Sequence, residues 1–205
     1  MSSERTHLFH EELTRFPADL FQFDPRIRDG WLSDRYFVRT ARTLAHAGRD
    51  PVVNLQFFAK RRGVLAGTFE CVRMLQTQLA HGFDYSDLEV ETLHDGDRIE
   101  PWEVAFRIRG RYRAFAHLET TLDGVLARRT LIATNADRAV DAAAGVPVIY
   151  FAPRHDDWRI QTPDGYAARV GGGGDVSSDA GASWWGGEGV GTMPHAMIAA
   201  FGGDV

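Results

Sequence analysis

The stretch LETTLDGVLARRTLIATNADRAVDAAAGVPVIYFAP, residues 118–153, decides the predicted fold. Apolar side chains recur along one side of its first part, and Gly145 and Pro147 end that pattern, which predicts a long helix. The positions expected on its buried side are Leu118, Leu122, Val125, Leu126, Ile132, Ala136 and Val140. VPVIYFAP then forms a short, almost wholly apolar run, which is typical of a strand covered on both faces.

The residues before this stretch predict an α+β domain with a β meander. Two helices are expected, one beginning at the N-cap Ser33 and one in TFECVRMLQTQLAHG, with a strand in PVVNLQFFAK between them. WEVAFRIRGRYRAFAH alternates in the same way, with Val104, Phe106 and Ile108 expected to face inward. Arginines occupy every second position from 107 to 113, and we interpret them as the solvent face of a half-buried strand.

The residues after it repeat a shorter unit of strand, polar loop and helix. VPVIYFA, VSS and EGVGTMPH each precede such a loop or helix, which predicts successive units of a parallel barrel or sheet. The fold predicted is therefore an α+β domain at residues 1–116 followed at residues 117–205 by the first units of an incomplete, TIM-like α/β barrel. About three units do not close an eight-unit barrel, so the chain is expected to be truncated in mid-architecture.

Composition narrows the functional classes. The chain has 205 residues, a net charge of −5 and one cysteine. An acidic chain lacks the basic field that duplex DNA or an anionic membrane requires, and a single cysteine excludes an internal disulfide. No apolar run reaches the length of a membrane span, and the N-terminus has no signal-peptide pattern, so a cytoplasmic protein is expected.

The candidate site lies at the ends of the predicted parallel strands. Arg154, Ser177 and His195 each follow a predicted strand, and Phe151 would add an aromatic wall. Loops at the carboxyl ends of neighbouring parallel strands lie side by side, so these side chains are expected to converge. Taken singly, each residue also fits a bland role: a solvated arginine, a capping serine or a structural histidine. The glycine run at 171–174 is a weak candidate for a phosphate-binding loop, because it lacks the P-loop lysine.

Several motifs carry a family resemblance. They are SDRY at 33–36, VLAGTFE at 64–70, DGDRIEPWE at 95–103, the LET…ATNA segment at 118–136, VIYFAPR at 148–154 and SSDAGASWWGGEGVGTMPHAMIAAFGGD at 177–204. Together they resemble the N-terminal half of the nicotinate phosphoribosyltransferases, from Ser33 to the end of the chain. That family makes nicotinate mononucleotide from nicotinate and phosphoribosyl pyrophosphate with coupled ATP hydrolysis, a step of NAD salvage.

The resemblance implies roles for the candidate residues. It places the pyridine ring between Phe151 and a Tyr36 contributed by the partner of a homodimer, with Arg154 beside the ring. It places Ser177 at the polar position in the glycine-rich loop. It makes His195 the residue that accepts the phosphoryl group from ATP. Mg²⁺ and ATP are the expected cofactor and cosubstrate.

The resemblance also leaves alternatives open. The later barrel units that hold the donor's 5′-phosphate are not present in this sequence, and residues 171–178 depart from the family pattern. One alternative is therefore one half of a split enzyme, and another is a non-catalytic nicotinate-binding or interaction remnant. Nicotinamide or another pyridine base is the alternative substrate.

Overall fold

The computed structural model describes residue 13, residues 16–17 and residues 19–203. Its first part contains helices α1 (Arg35–His46) and α2 (Thr68–Gln78) and a three-stranded antiparallel sheet in the order β1–β5–β3. The sheet strands are β1 (Val52–Phe58), β3 (Glu89–Thr92) and β5 (Val104–Arg111). Both helices and the strands β1 and β5 fall within the predicted segments, and β3 belongs to the predicted meander. The predicted N-cap Ser33 is wrong, because the N-cap of α1 is Asp34.

The central strand β5 carries the inner face of this sheet. Phe106 pairs with Phe57 and Ile108 pairs with Leu55, and both β5 side chains are fully buried. The prediction that Val104 faces inward is wrong, because Val104 is 39% exposed. The register shifts between Phe57 and Phe58, where a bulge turns the end of the strand away from the core.

The opposite face of β5 carries the arginines. Arg109 forms an ion pair with Glu89 at 2.6 Å, and Arg107 forms one with Glu91, both on β3. These pairs lie directly across the two strands, which confirms the charged solvent face for Arg107 and Arg109. For Arg113 the prediction is wrong, because the strand ends at Arg111 and a helix begins at Tyr112.

Two short strands were missed by the sequence analysis. Strands β2 (Gly63–Val64) and β4 (Arg98–Ile99) pair antiparallel. Two residues are too few to show an alternating pattern. The backbone N–H of Val64 donates to the hydroxyl of Thr134 at 3.0 Å, so this small sheet is held against the long helix.

Helices α3 (Tyr112–Phe115) and α4 (Glu119–Ala142) follow β5. The long helix α4 confirms the prediction for its segment. Leu118 (just before α4), Leu122 and Leu126 are buried in the main core, as expected. Farther along, the buried positions are Arg129, Ala133 and Thr134, while Ala136 and Val140 are only half-buried.

The last part of the described chain contains a two-stranded parallel sheet. Its strands are β6 (Ile149–Tyr150) and β7 (Asp175–Val176), and its helices are α5 (Gln161–Val170), α6 (Asp179–Ala182) and α7 (His195–Ala200). The expectation of a strand covered on both faces is wrong, because Ile149 is 47% and Phe151 is 51% exposed. The fold is thus mixed α/β with a small N-terminal α+β part, and the incomplete barrel stays a prediction.

The division into domains at residues 1–116 and 117–205 also stays a prediction, and its outer ends fall outside the described residues. Helix α4 contributes to both hydrophobic clusters: Leu122 packs in the large core, and Ala133 packs with Val64 and Ala167 in a smaller one. No helix in the described part of the chain has the length and apolar character needed to cross a bilayer.

Candidate active site at the parallel strand edge

The parallel sheet brings two of the predicted site residues together. Tyr150 pairs with Val176, and the backbone N–H of Ser177 donates to the carbonyl oxygen of Tyr150 at 3.2 Å. Phe151 and Ser177 therefore follow neighbouring strands at the same edge. Parallel α/β structures build binding sites at this edge, because the loops after adjacent strands lie side by side there.

Arg154 lies in the tight turn that follows Phe151. The backbone N–H groups of His155 and Asp156 both donate to the carbonyl oxygen of Ala152, at 2.8 and 3.2 Å. The Arg154 side chain is exposed, and within residues 19–203 it forms no hydrogen bond or ion pair. Its planar set of donors is thus available to a carboxylate or phosphate from solution.

His195 is the first residue of α7 and is exposed. The segment that leads to it begins beside β7, where the backbone N–H of Val190 donates to the carbonyl oxygen of Val176 at 2.8 Å. In the described chain, no hydrogen bond or ion pair joins His195 to Arg154 or Ser177. Arg154 and Ser177 thus follow β6 and β7, but the strand predicted in EGVGTMPH before His195 is wrong, because residues 186–194 contain no strand.

Tyr36 lies in a different place, at the start of α1. Thr120 on α4 accepts from the backbone N–H of Asp34 and donates to its carboxylate, at 3.0 and 3.1 Å. The Tyr36 ring is 59% exposed and packs on Phe37 at 4.2 Å between centroids. Among the described residues of this one chain, no hydrogen bond, ion pair or ring contact joins Tyr36 to Phe151 or Arg154.

The sequence analysis missed a buried group of charges beneath this edge, which we call the ionic array. Arg129 on α4 donates to Glu70 on α2 and to Asp164 on α5, each at 3.0 Å. Arg128 donates to both carboxylate oxygens of Asp164, with the shortest bond 2.7 Å. Asp164 is 1% exposed and is fully paired by the two guanidinium groups. A weak signal was present, since Arg129 follows the buried Leu122 by seven residues, on the same face of the helix.

The ionic array extends to the loop that carries Arg154. Nη2 of Arg128 lies 3.8 Å from Oδ1 of Asp156, in addition to its bond with Asp164. Burial raises the pKa of Glu70, and the neighbouring guanidinium of Arg129 opposes that effect. Burial also raises the pKa of Tyr150, at the end of β6, to about 12. The base of the candidate site is therefore a desolvated region in which charges are matched.

The glycine run has a structural cause. Gly171 ends α5, and a Cβ built there would lie 2.1 Å from the carbonyl oxygen of Ala133 on α4. Gly172 adopts a φ of +89°, which favours glycine. The run thus lets α5 approach α4 closely and turn into β7. Within the described residues, no group of three His, Cys, Asp or Glu side chains is placed to hold a metal ion.

Comparison with known proteins finds a family model and several solved structures that are similar to this chain. Residues 34–130 match the model of the quinolinate phosphoribosyl transferase N-terminal domain. The chain is 32% identical to nicotinate-nucleotide pyrophosphorylase from Pyrococcus furiosus, with a TM-score of 0.80, and covers 46% of that protein with 89% of its own residues. It is also similar to the pyrophosphorylase from Ehrlichia chaffeensis, with a TM-score of 0.61 and 16% identity over 99% of this chain and 62% of that one.

These comparisons correct the expected activity. The family model and the Pyrococcus furiosus structure favour quinolinate phosphoribosyltransferases and nicotinate-nucleotide pyrophosphorylases, so the expected ATP-dependent nicotinate phosphoribosyltransferase is wrong. Human nicotinic acid phosphoribosyltransferase also matches, with a TM-score of 0.73, but at 20% identity over 82% of this chain and 40% of that one it shows a shared fold alone. The chain spans about half the length of the solved structures that it matches.

Proposed function

We propose that this chain is part of a phosphoribosyltransferase that joins a pyridine carboxylate to the ribosyl group of phosphoribosyl pyrophosphate, in the manner of the quinolinate enzymes. The observation that carries the proposal is the match of residues 34–130 to the quinolinate phosphoribosyl transferase N-terminal domain. The likeness to the Pyrococcus furiosus pyrophosphorylase over 89% of the chain supports it. The substrate proposed first is quinolinate, pyridine-2,3-dicarboxylate.

The strand edge supplies side chains that suit such an acceptor. Arg154 has a guanidinium without a partner in the described chain, and a bidentate guanidinium–carboxylate pair combines charge with a fixed geometry. Phe151 offers an exposed aromatic face to the ring. Ser177, beside them on the next strand, offers a hydroxyl. Holding the ring in one orientation would set its nitrogen toward C1 of the donor, which turns an encounter into a positioned reaction.

Other members of the site belong to the same proposal. Tyr36 would act from the partner of a homodimer, since no hydrogen bond, ion pair or ring contact joins it to Phe151 or Arg154 within the described part of its own chain. His195 would contribute a group that gains positive charge near neutral pH. Phosphoribosyl pyrophosphate is the proposed donor. Mg²⁺ would accompany the pyrophosphate of that donor and stabilise its departure. A cytoplasmic location is part of the same proposal.

Calorimetric titration with quinolinate tests the proposal directly. We expect the wild-type chain to bind, and Arg154→Ala to lose about 1.5–3 kcal/mol of binding free energy, since a charged hydrogen-bonded partner is removed. Arg49→Ala is the matched control, because it removes an equally exposed arginine away from the strand edge.

Two results would contradict the proposal. One is equal affinity of wild type and Arg154→Ala for quinolinate, and the other is equal affinity of the wild type for nicotinamide, which has no carboxylate. An assay of nucleotide formation from quinolinate and phosphoribosyl pyrophosphate, without ATP, then tests the transfer itself.

A further inference from the structure

We infer that Arg128 is a positioning residue, which holds the loop of residues 151–157 through Asp156 and thereby orients Arg154. The inference rests on the proposed function for the part that concerns the ligand. The contact between Arg128 and Asp156 does not depend on that function, so hydrogen exchange tests the contact and titration with quinolinate tests the function.

The first step is the fixed position of Arg128. Its Nε and Nη2 donate to the carboxylate of Asp164, which is 1% exposed and lies on α5. A second guanidinium, from Arg129, occupies the other side of that carboxylate. A bidentate pair anchored on a buried group leaves the Arg128 fork little freedom to move.

The second step is the hydrogen-bond donor that Arg128 has left after it pairs with Asp164. Within the array, Arg128 and Arg129 balance Asp164 and Glu70, so the array is neutral without Asp156. Nη2 of Arg128 has a further hydrogen, and the nearest carboxylate in the loop is that of Asp156, at 3.8 Å. Arg128 is thus the member of the array that is half-exposed and faces the loop.

The third step is the construction of the loop. It contains no strand or helix between Phe151 and Asp157, and its turn is closed by the two backbone bonds to Ala152. Arg154 has no internal partner in the described chain that would fix it. Asp157, at the end of the loop, pairs locally with Arg159 at 2.7 Å. The ion pair of Asp156 with Arg128 is therefore the side-chain contact that joins this loop to α4 and limits where the Arg154 backbone lies.

Hydrogen exchange of the peptide covering residues 151–157 tests the hold on the loop. Asp156→Asn keeps the size of the side chain and removes its charge. We expect the backbone amides of residues 155 and 156 to exchange about two- to fivefold faster, because that factor corresponds to the free energy of a half-exposed ion pair. Asp156→Glu should restore the wild-type rate. Asp141→Asn, an exposed carboxylate on α4, is the control and should change nothing in this peptide.

The dependence of the exchange rate on salt concentration distinguishes an ion pair from uncharged packing, which salt does not screen. In 1 M salt the screening length falls to about 3 Å, so wild-type exchange should approach that of Asp156→Asn. The free energy of unfolding should differ between wild type and Asp156→Asn by about 1 kcal/mol or less, since the same half-exposed ion pair is lost. If exchange in the loop is equal in wild type and Asp156→Asn at low salt, the inference is wrong.

Titration with quinolinate tests the consequence for Arg154. Asp156→Asn should weaken binding about two- to fivefold at low salt, and Asp156→Glu should recover it. Faster exchange with unchanged affinity would overturn the positioning role. If the wild type binds no quinolinate, the proposed function fails, and the exchange rates alone decide whether Arg128 holds the loop.

Discussion

The antiparallel sheet and the parallel strand pair of this molecule are stabilised in different ways. In the antiparallel sheet, Phe106 and Ile108 are fully buried and pair across to β1. In the parallel pair, each strand has two residues, and Ile149 is 47% exposed. The first is stabilised by apolar burial, whereas the loop after the second is joined to the ionic array by the ion pair of Asp156 with Arg128. Apolar burial and the proposed ligand recognition are thereby placed in separate regions.

The largest expected difference between the regions concerns two phenylalanines. Phe106→Ala should lower the free energy of unfolding by about 3–5 kcal/mol, because it opens a cavity in the main core. Phe151→Ala should change it by less than about 0.5 kcal/mol, since Phe151 is already 51% exposed. Urea unfolding followed by tryptophan fluorescence measures both, and similar losses in the two variants would contradict the comparison.

The ionic array gives the next largest effect. Asp164→Asn should destabilise the protein by about 3 kcal/mol, because it leaves two guanidinium groups without their shared buried carboxylate. Asp137→Asn is the control, since Asp137 pairs with the exposed Arg98 and should cost about 1 kcal/mol or less. Equal effects in urea unfolding would mean that the array does not support the parallel region.

These two regions also differ in how far the sequence predicts them. Alternation in residues 52–58 and 104–111 predicted β1 and β5, because each pattern is local and long enough to recognise. The array joins Glu70, Arg129 and Asp164, and each of its bonds spans 35 or more residues of sequence. The position of Arg129 on the buried face of α4 is a local signal, but no local pattern identifies its partners. The exposure of Ile149 was missed for the same reason, since an apolar run alone does not show what covers it. The placement of Arg154 and Ser177 after neighbouring segments was predictable from their spacing.

A buried carboxyl in the first region predicts a pH dependence. Burial raises the pKa of Asp95 to about 6, against the opposing hydrogen bonds from Thr68, whose backbone N–H and hydroxyl both donate to Oδ1 at 2.8 Å. The folded protein therefore binds this proton more tightly than the unfolded chain, whose pKa is about 4. The contribution of Asp95 to the free energy of unfolding should fall by about 2–3 kcal/mol as the pH rises from about 4 to about 6, and then stay constant.

Asp95→Asn isolates that contribution. Asparagine still accepts from Thr68 but does not titrate, so the difference in unfolding free energy between wild type and variant should change between pH 4 and pH 6. Urea unfolding at pH 4, 5, 6 and 7 measures it. A difference that is constant over this range would show that Asp95 titrates alike in the folded and unfolded chains.

The smallest expected effects come from two glycines, Gly171, which packs against α4, and Gly124, which lies within α4. Replacing each by alanine should change the stability in opposite directions. Gly171→Ala should cost about 1–3 kcal/mol, because the new Cβ would lie 2.1 Å from the carbonyl oxygen of Ala133 and α5 must move away from α4. Gly124, inside α4, has nothing within 4 Å of the equivalent position. Gly124→Ala should therefore stabilise the protein by about 0.5–1 kcal/mol through its helix propensity. Thermal unfolding of the two variants beside wild type measures both signs, and a neutral Gly171→Ala would mean that the close approach of α5 to α4 is not required for the parallel region.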